Sequence, residues 1–138
     1  EMPEGLDGFW TAILPGLIII DEVLLVEGAV WHPLKFAGYP DAVMVYEGEL
    51  CVCDWKTARR PKQLEWIGDY CMQVAAYCYA VNWVYRETGI KIEKGVIAIA
   101  LEDYPAQVFT LDADDLFYYW RNFQERLRQY YRQQLFRR

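Results

Sequence analysis

The chain has 138 residues, 54% of them hydrophobic and 17% aromatic, which fits one globular domain with a single sizeable core and excludes a disordered chain. The formal net charge of −6 excludes nucleic-acid binding by bulk charge, so any such contact must use local basic patches. There is no serine and one histidine, His32, which excludes a Ser-His-Asp triad within this chain and leaves His32 as the sole histidine for a Cys-His pair; no glycine-rich phosphate loop is present either.

The first sixteen residues read as a short helix ending near Pro15 and Gly16. The apolar run "AILPGLIII" is broken by those two residues and is too short to span a bilayer, and no charged leader or cleavage site marks a signal peptide, so no membrane association is expected. Residues 18–31 read as one long strand or two broken ones. Glu27 lies inside this apolar stretch, where a carboxylate wants a partner; orienting Lys56 or reaching a metal ion through water are its candidate roles. His32 precedes Pro33 and is expected in a turn, as a further candidate. Residues 34–46 read as a strand and residues 49–56 as the next, with Glu47 and Gly48 as a two-residue hairpin turn between them. From Gln63 to about Glu87 the pattern is helical. Two more strands follow in 91–102 and 106–111. Asp112 is suited to cap a final helix, with Asp114 and Asp115 in its first turn. The predicted order is helix, three strands, helix, two strands, helix: an α/β domain over 1–138 with a mixed central β-sheet flanked by helices.

The hairpin carries the chemistry. With Glu47 and Gly48 as the loop, Tyr46 faces Glu49, Val45 faces Leu50, Val43 faces Val52, and Asp41 faces Asp54. Directly opposed side chains have Cβ atoms about 4.5–5.5 Å apart. Two carboxylates that close repel, and a bound cation removes the repulsion; a hard ion such as Mg²⁺ or Mn²⁺ suits an all-oxygen site. Lys56 lies two residues beyond Asp54 and so on the same face, where an ammonium can hold a metal-bound water or offset charge developing on a phosphate. The alternative is an Asp–Lys surface ion pair with a solvated Asp41.

Gln73 and Tyr77 are one helical turn apart on one face and could reach the end of this strand pair, or could simply pack. Arg59, Arg60 and Lys62 follow Lys56 and are placed for phosphate contacts. The last eighteen residues hold six arginines interleaved with aromatics. This suits either a single strand or an amphipathic helix that packs Trp120, Phe123, Leu127 and Tyr131, and the second reading is preferred. Cys51, Cys53, Cys71 and Cys78 form no metal-binding spacing and read as buried thiols of an intracellular, reducing compartment.

The stretch "GYPDAVMVYEGELCVCDWKT" followed by "QVAAY" resembles the core of the PD-(D/E)XK nuclease superfamily in its RecB-like exonuclease branch. The matching pattern is Gly38 and Asp41, then the hairpin, then Asp54, Lys56 and Thr57, then Gln73 and Tyr77. The resemblance implies a restriction-endonuclease-like core and a DNA exonuclease acting on single-stranded ends or flaps. It implies Mg²⁺ or Mn²⁺ held by Asp41, Asp54 and the Trp55 carbonyl, with Lys56 catalytic and Gln73 and Tyr77 in support. If the source is eukaryotic, it implies a mitochondrial matrix setting. The family also places a histidine or glutamate on a helix before the first strand. No histidine precedes His32 here and Glu4 is a nearby carboxylate, so either that ligand lies upstream of Glu1 or the site is completed differently. Relatives with an Fe–S cluster carry cysteines flanking the core; these four lie inside it, so no cluster is expected. A nuclease-fold module that binds without cleaving, and a restriction-type endonuclease, are the competing readings.

Overall fold

The computed structural model describes the backbone of residues 20–26, 30–32 and 36–38 and the full residues 42–136. Seven strands and two helices follow in the order β1 (Ile20–Val26), β2 (Val30–His32), β3 (Phe36–Gly38), β4 (Ala42–Tyr46), β5 (Glu49–Ala58), α1 (Gly68–Val84), β6 (Lys94–Leu101), β7 (Gln107–Leu111) and α2 (Ala113–Phe136). The main sheet has five strands in the order β1-β4-β5-β6-β7; β5 and β6 run parallel and the other neighbours antiparallel. The expected mixed α/β sheet is therefore present. Among the described residues five strands precede α1 rather than three: 18–31 holds two strands, β1 and β2, which is the broken alternative, and the expected strand over 34–46 is also two, β3 and β4. Its first part, β3, pairs with β2 in a separate two-stranded sheet. His32 is accordingly a strand residue paired with Phe36 rather than a turn residue. The expected helix over the first sixteen residues, with Glu4, lies outside the described residues.

The β4–β5 hairpin follows the predicted register: Tyr46 pairs with Glu49, Val45 with Leu50 and Val43 with Val52. Its turn places both Glu47 (φ 53°) and Gly48 (φ 79°) in the left-handed region. That is the backbone of a type I′ turn, whose twist matches the flanking strands, and glycine at the second position adopts it without steric cost.

Alternation along β5 separates two apolar layers. Leu50, Val52 and Ala58 join Val43, Ile97, Ile99 and Leu101 against the helices. Cys51, Cys53 and Trp55 join Ala42, Met44, Tyr46, Val96, Ala98 and Ala100 on the other face. Strand β6 is buried over nearly its whole length, which is why it reads as the unbroken apolar run "VIAIAL". Helix α1 lies between sheet and α2 and is apolar nearly all round, with Cys71, Val74, Ala75, Cys78, Ala80 and Val81 buried. Trp120 of α2 stacks on Tyr79 of α1 with ring centroids 4.4 Å apart. Asn82 clasps the backbone entering β6: its amide donates to the Ile92 carbonyl (3.0 Å) and accepts from the Ile92 N–H (2.6 Å).

Asp112 caps α2 as expected, in a reciprocal capping box. Its carboxylate accepts from the Asp115 N–H (2.8 Å), and the Asp115 carboxylate accepts from the Asp112 N–H (3.1 Å). The packing expected of α2 holds only in its first half. Trp120 is buried, and Phe123 and Leu127 are half-buried, but Tyr131 is exposed and Leu135 and Phe136 more so.

All four cysteines are free and buried. Burial pushes the Cys51 thiol up to about 12 and raises Cys71 and Cys78 as well. Since the thiolate is the reactive form, a thiol-labelling reagent at neutral pH is expected to leave the native chain unlabelled over minutes and to titrate four thiols after denaturation. Rapid native labelling of even one would contradict this burial.

Candidate functional site

Strand β5 does not end at Asp54. It stays paired with β6 as far as Ala58, opposite Leu101. Its described ladder with β4 runs as far as Cys53, opposite Ala42. The alternation that carries Val52 into the core puts Asp54 and Lys56 on the same helix-facing side. Asp54 is 3% exposed and is the one buried charged residue among those described. A buried carboxylate needs a compensating group, and Lys56 supplies it: Nζ lies 3.0 Å from Asp54 Oδ2.

Helix α1 continues the row. Lys56 Nζ donates to Gln73 Oε1 (3.0 Å), and Gln73 Nε2 donates to the Tyr77 hydroxyl (2.9 Å). Gln73 is thereby used at both ends of its amide, with the carbonyl turned to the ammonium and the NH₂ to the phenol. The i, i+4 spacing of Gln73 and Tyr77 makes this relay possible on one helix face. Four of the expected site residues, Asp54, Lys56, Gln73 and Tyr77, thus form one connected polar chain reaching from the central sheet onto α1.

Tyr70 is a member that sequence reasoning passed over: the Lys56 ammonium sits 5.0 Å from its ring centroid, within cation–π range. The signal was available, since Tyr70 lies three residues before Gln73 and so shares its face. Beside this row opens a cleft of about 480 Å³ lined by Lys56, Tyr70, Gln73 and Tyr77 together with Phe123 and Arg126 of α2.

Other expected residues fall elsewhere. Thr57 is exposed and, by alternation, on the face opposite Lys56. The Trp55 side chain packs in the second apolar layer, so the ligand role expected of Trp55 rests on its backbone carbonyl alone. Arg59 and Arg60 are exposed in the bend after β5. Lys62 is held at its backbone by Gln107 of β7, whose amide accepts from the Lys62 N–H (2.7 Å) and donates to its carbonyl (2.9 Å). No sequence signal foretold this clasp, which fixes where the basic bend leaves the sheet. Asp41 and Glu27 lie outside the described residues, and His32 is described by its backbone.

Among the described residues, no three or more His, Cys, Asp or Glu side chains gather as a metal site. The donors that are described, a buried carboxylate and a backbone carbonyl next to it in sequence, are oxygens and fit a hard divalent cation rather than a thiol-seeking one. No helix among the described residues is long and apolar enough to cross a membrane.

No family model matches the chain. It is similar over most of its length to three curated proteins, each named mitochondrial genome maintenance exonuclease 1. Identity is 34% over 133 residues to that of Xenopus tropicalis, covering 94% of this chain and 38% of that protein. It is 36% over 126 residues to that of Mus musculus, covering 89% and 37%. It is 35% over 114 residues to that of Homo sapiens, covering 80% and 33%. The chain therefore spans between 33% and 38% of the length of these relatives. Among solved structures it is similar to one titled "Crystal structure of SSO0001", with a TM-score of 0.47 and 18% identity over 73% of this chain and 50% of that one.

Proposed function

We propose that this chain, a homologue of mitochondrial genome maintenance exonucleases over most of its length, is the nuclease core of a divalent-metal-dependent DNA exonuclease that acts on single-stranded ends or flaps. The observation that carries the reading is the connected row Asp54, Lys56, Gln73 and Tyr77. A structural ion pair needs no amide and phenol lined up behind it. A lysine that must hold its ammonium at one place through a reaction does.

In this reading Asp54, the Trp55 carbonyl and Asp41 hold Mg²⁺ or Mn²⁺, which when bound supplies Lewis-acid polarisation of the scissile phosphate and acidification of a water. Lys56 holds the attacking water by hydrogen bonding and offsets negative charge that builds on the phosphate oxygens as the bond to the leaving oxygen lengthens. Gln73 fixes the ammonium by accepting from it, and Tyr77 fixes Gln73. Arg59, Arg60 and Lys62 bind the strand's phosphates and give the affinity its salt dependence. The relatives' printed names place them in mitochondria, and the matrix is the corresponding proposal for this chain.

Titration of the chain with Mn²⁺ by calorimetry tests the metal assignment. The parent is expected to bind, and Asp54→Asn to weaken binding at least tenfold by removing one negatively charged ligand. Unchanged Mn²⁺ affinity in Asp54→Asn would count against Asp54 as a ligand and favour the module that binds without cleaving.

A further inference from the structure

The cleft beside Lys56 has a second wall that the proposed mechanism does not use. Helix α2 contributes Phe123 and, one turn on along the same face, Arg126. The Arg126 guanidinium is 2.8 Å from Asp69 Oδ1, and both side chains are well exposed, 63% and 75%. Exposed pairs of this kind contribute little to stability, so Asp69 is a partner that a better anion displaces at little cost. A phosphate is such an anion, because it matches the planar guanidinium fork with two parallel hydrogen bonds.

The remainder of the lining has the character of a single-strand site. Lys56 and Arg126 supply two cations, and Tyr70, Tyr77 and Phe123 supply aromatic surface of the kind on which unpaired bases stack. The volume of about 480 Å³ lies within the range of small-ligand pockets, about 300–1,000 Å³. From these observations we infer that Arg126 is a DNA-binding residue. It exchanges Asp69 for a backbone phosphate of single-stranded DNA and so makes α2 the second wall of the nucleotide cleft. The inference rests on the nuclease reading for its choice of ligand, and deepens it.

Equilibrium binding of a fluorescein-labelled thymidine 16-mer, followed by anisotropy in EDTA and again in Ca²⁺, tests it without cleavage. Arg126→Ala is expected to weaken binding about tenfold at low salt and to reduce the log–log salt slope by about 0.7, the loss of one phosphate contact on a single strand. Arg126→Lys keeps the slope while losing part of the affinity. Asp69→Asn is expected to tighten binding about twofold or more, because the guanidinium no longer has a carboxylate to leave. Opposite signs for the two partners are the signature of an exchange. Four results would overturn the inference: Arg126→Ala within twofold of the parent; Arg126→Lys losing the slope as Arg126→Ala does; Asp69→Asn weakening binding as Arg126→Ala does, which marks a structural ion pair; or no binding by the parent in either condition. Cleavage of DNA in Mn²⁺ is read separately. A parent that binds with this Arg126 dependence but does not cleave would defeat the nuclease reading and leave the Arg126 contact standing.

Discussion

Lys56→Ala is expected to lower the rate of DNA cleavage by about 10²–10⁴-fold, the range over which positioned proton-transfer groups act, far more than the loss of strand affinity from removing one cation of the cleft. The alternative is that Lys56 serves only to neutralise buried Asp54, and magnitudes separate the two. Removing one partner of a fully buried pair costs about 3–5 kcal/mol. Here the Lys56 side chain is 25% exposed against 4% for Asp54, so the stability loss belongs below that range. Asp54→Asn combined with Lys56→Ala removes the stranded charge, and its melting temperature is expected to recover most of the loss seen in Lys56→Ala alone. Cleavage is expected to stay at or below the level of Lys56→Ala. If the double variant regained cleavage along with stability, Lys56 would be a structural counter-ion and the mechanism would be wrong.

The largest effect expected on stability comes from a residue with no side chain. Gly95, near the start of β6, pairs with Val52 and Leu111 under both helices. A Cβ built there would stand 2.5 Å from Val74 Cγ1, 3.1 Å from Leu116 Cδ2 and 3.7 Å from Leu111 Cβ. Val74 is fully buried on α1 and has a stiff, β-branched side chain, so it has nowhere to yield. Gly95→Ala is expected to cost about 1–3 kcal/mol and Gly95→Val more, lowering the melting temperature by about 4–10 °C for alanine. Adding Val74→Ala to Gly95→Ala makes room for the new methyl, so the double variant is expected to melt above the sum of the two single effects. Gly95→Ala melting with the parent would show that α1 can lift from the sheet at no cost, contrary to the packing described here.

The hairpin register was legible because two facts sufficed: a two-residue turn at Glu47 and Gly48, and the strict period of two along each strand. Those same facts put Asp54 and Lys56 on one face, and helical spacing put Gln73 and Tyr77 on another. What spacing cannot say is whether two faces meet, and the Lys56–Gln73 hydrogen bond decides that. The division of 34–46 into β3 and β4 was not legible, since local pattern reports extended backbone and not the sheet a strand joins. The exposed end of α2 was missed for a related reason: amphipathic spacing at Tyr131 marks a face, and burial depends on what packs against that face, which spacing does not report. The Gln107 clasp on Lys62 and the Arg126–Asp69 pair join residues 45 and 57 apart in sequence, beyond any local signal.

The central claim is that the row behind Asp54 serves hydrolysis of single-stranded DNA from an end. Its most direct test is incubation of the purified chain with end-labelled linear single-stranded DNA and with a circular single strand, in Mn²⁺ and in EDTA. Shortening of the linear strand in Mn²⁺, an intact circle and no reaction in EDTA are the expected results. A cut circle would mark an endonuclease. Retained binding with no cleavage in any divalent metal would overturn the proposed exonuclease activity and leave a nuclease-like module that binds DNA without cutting it.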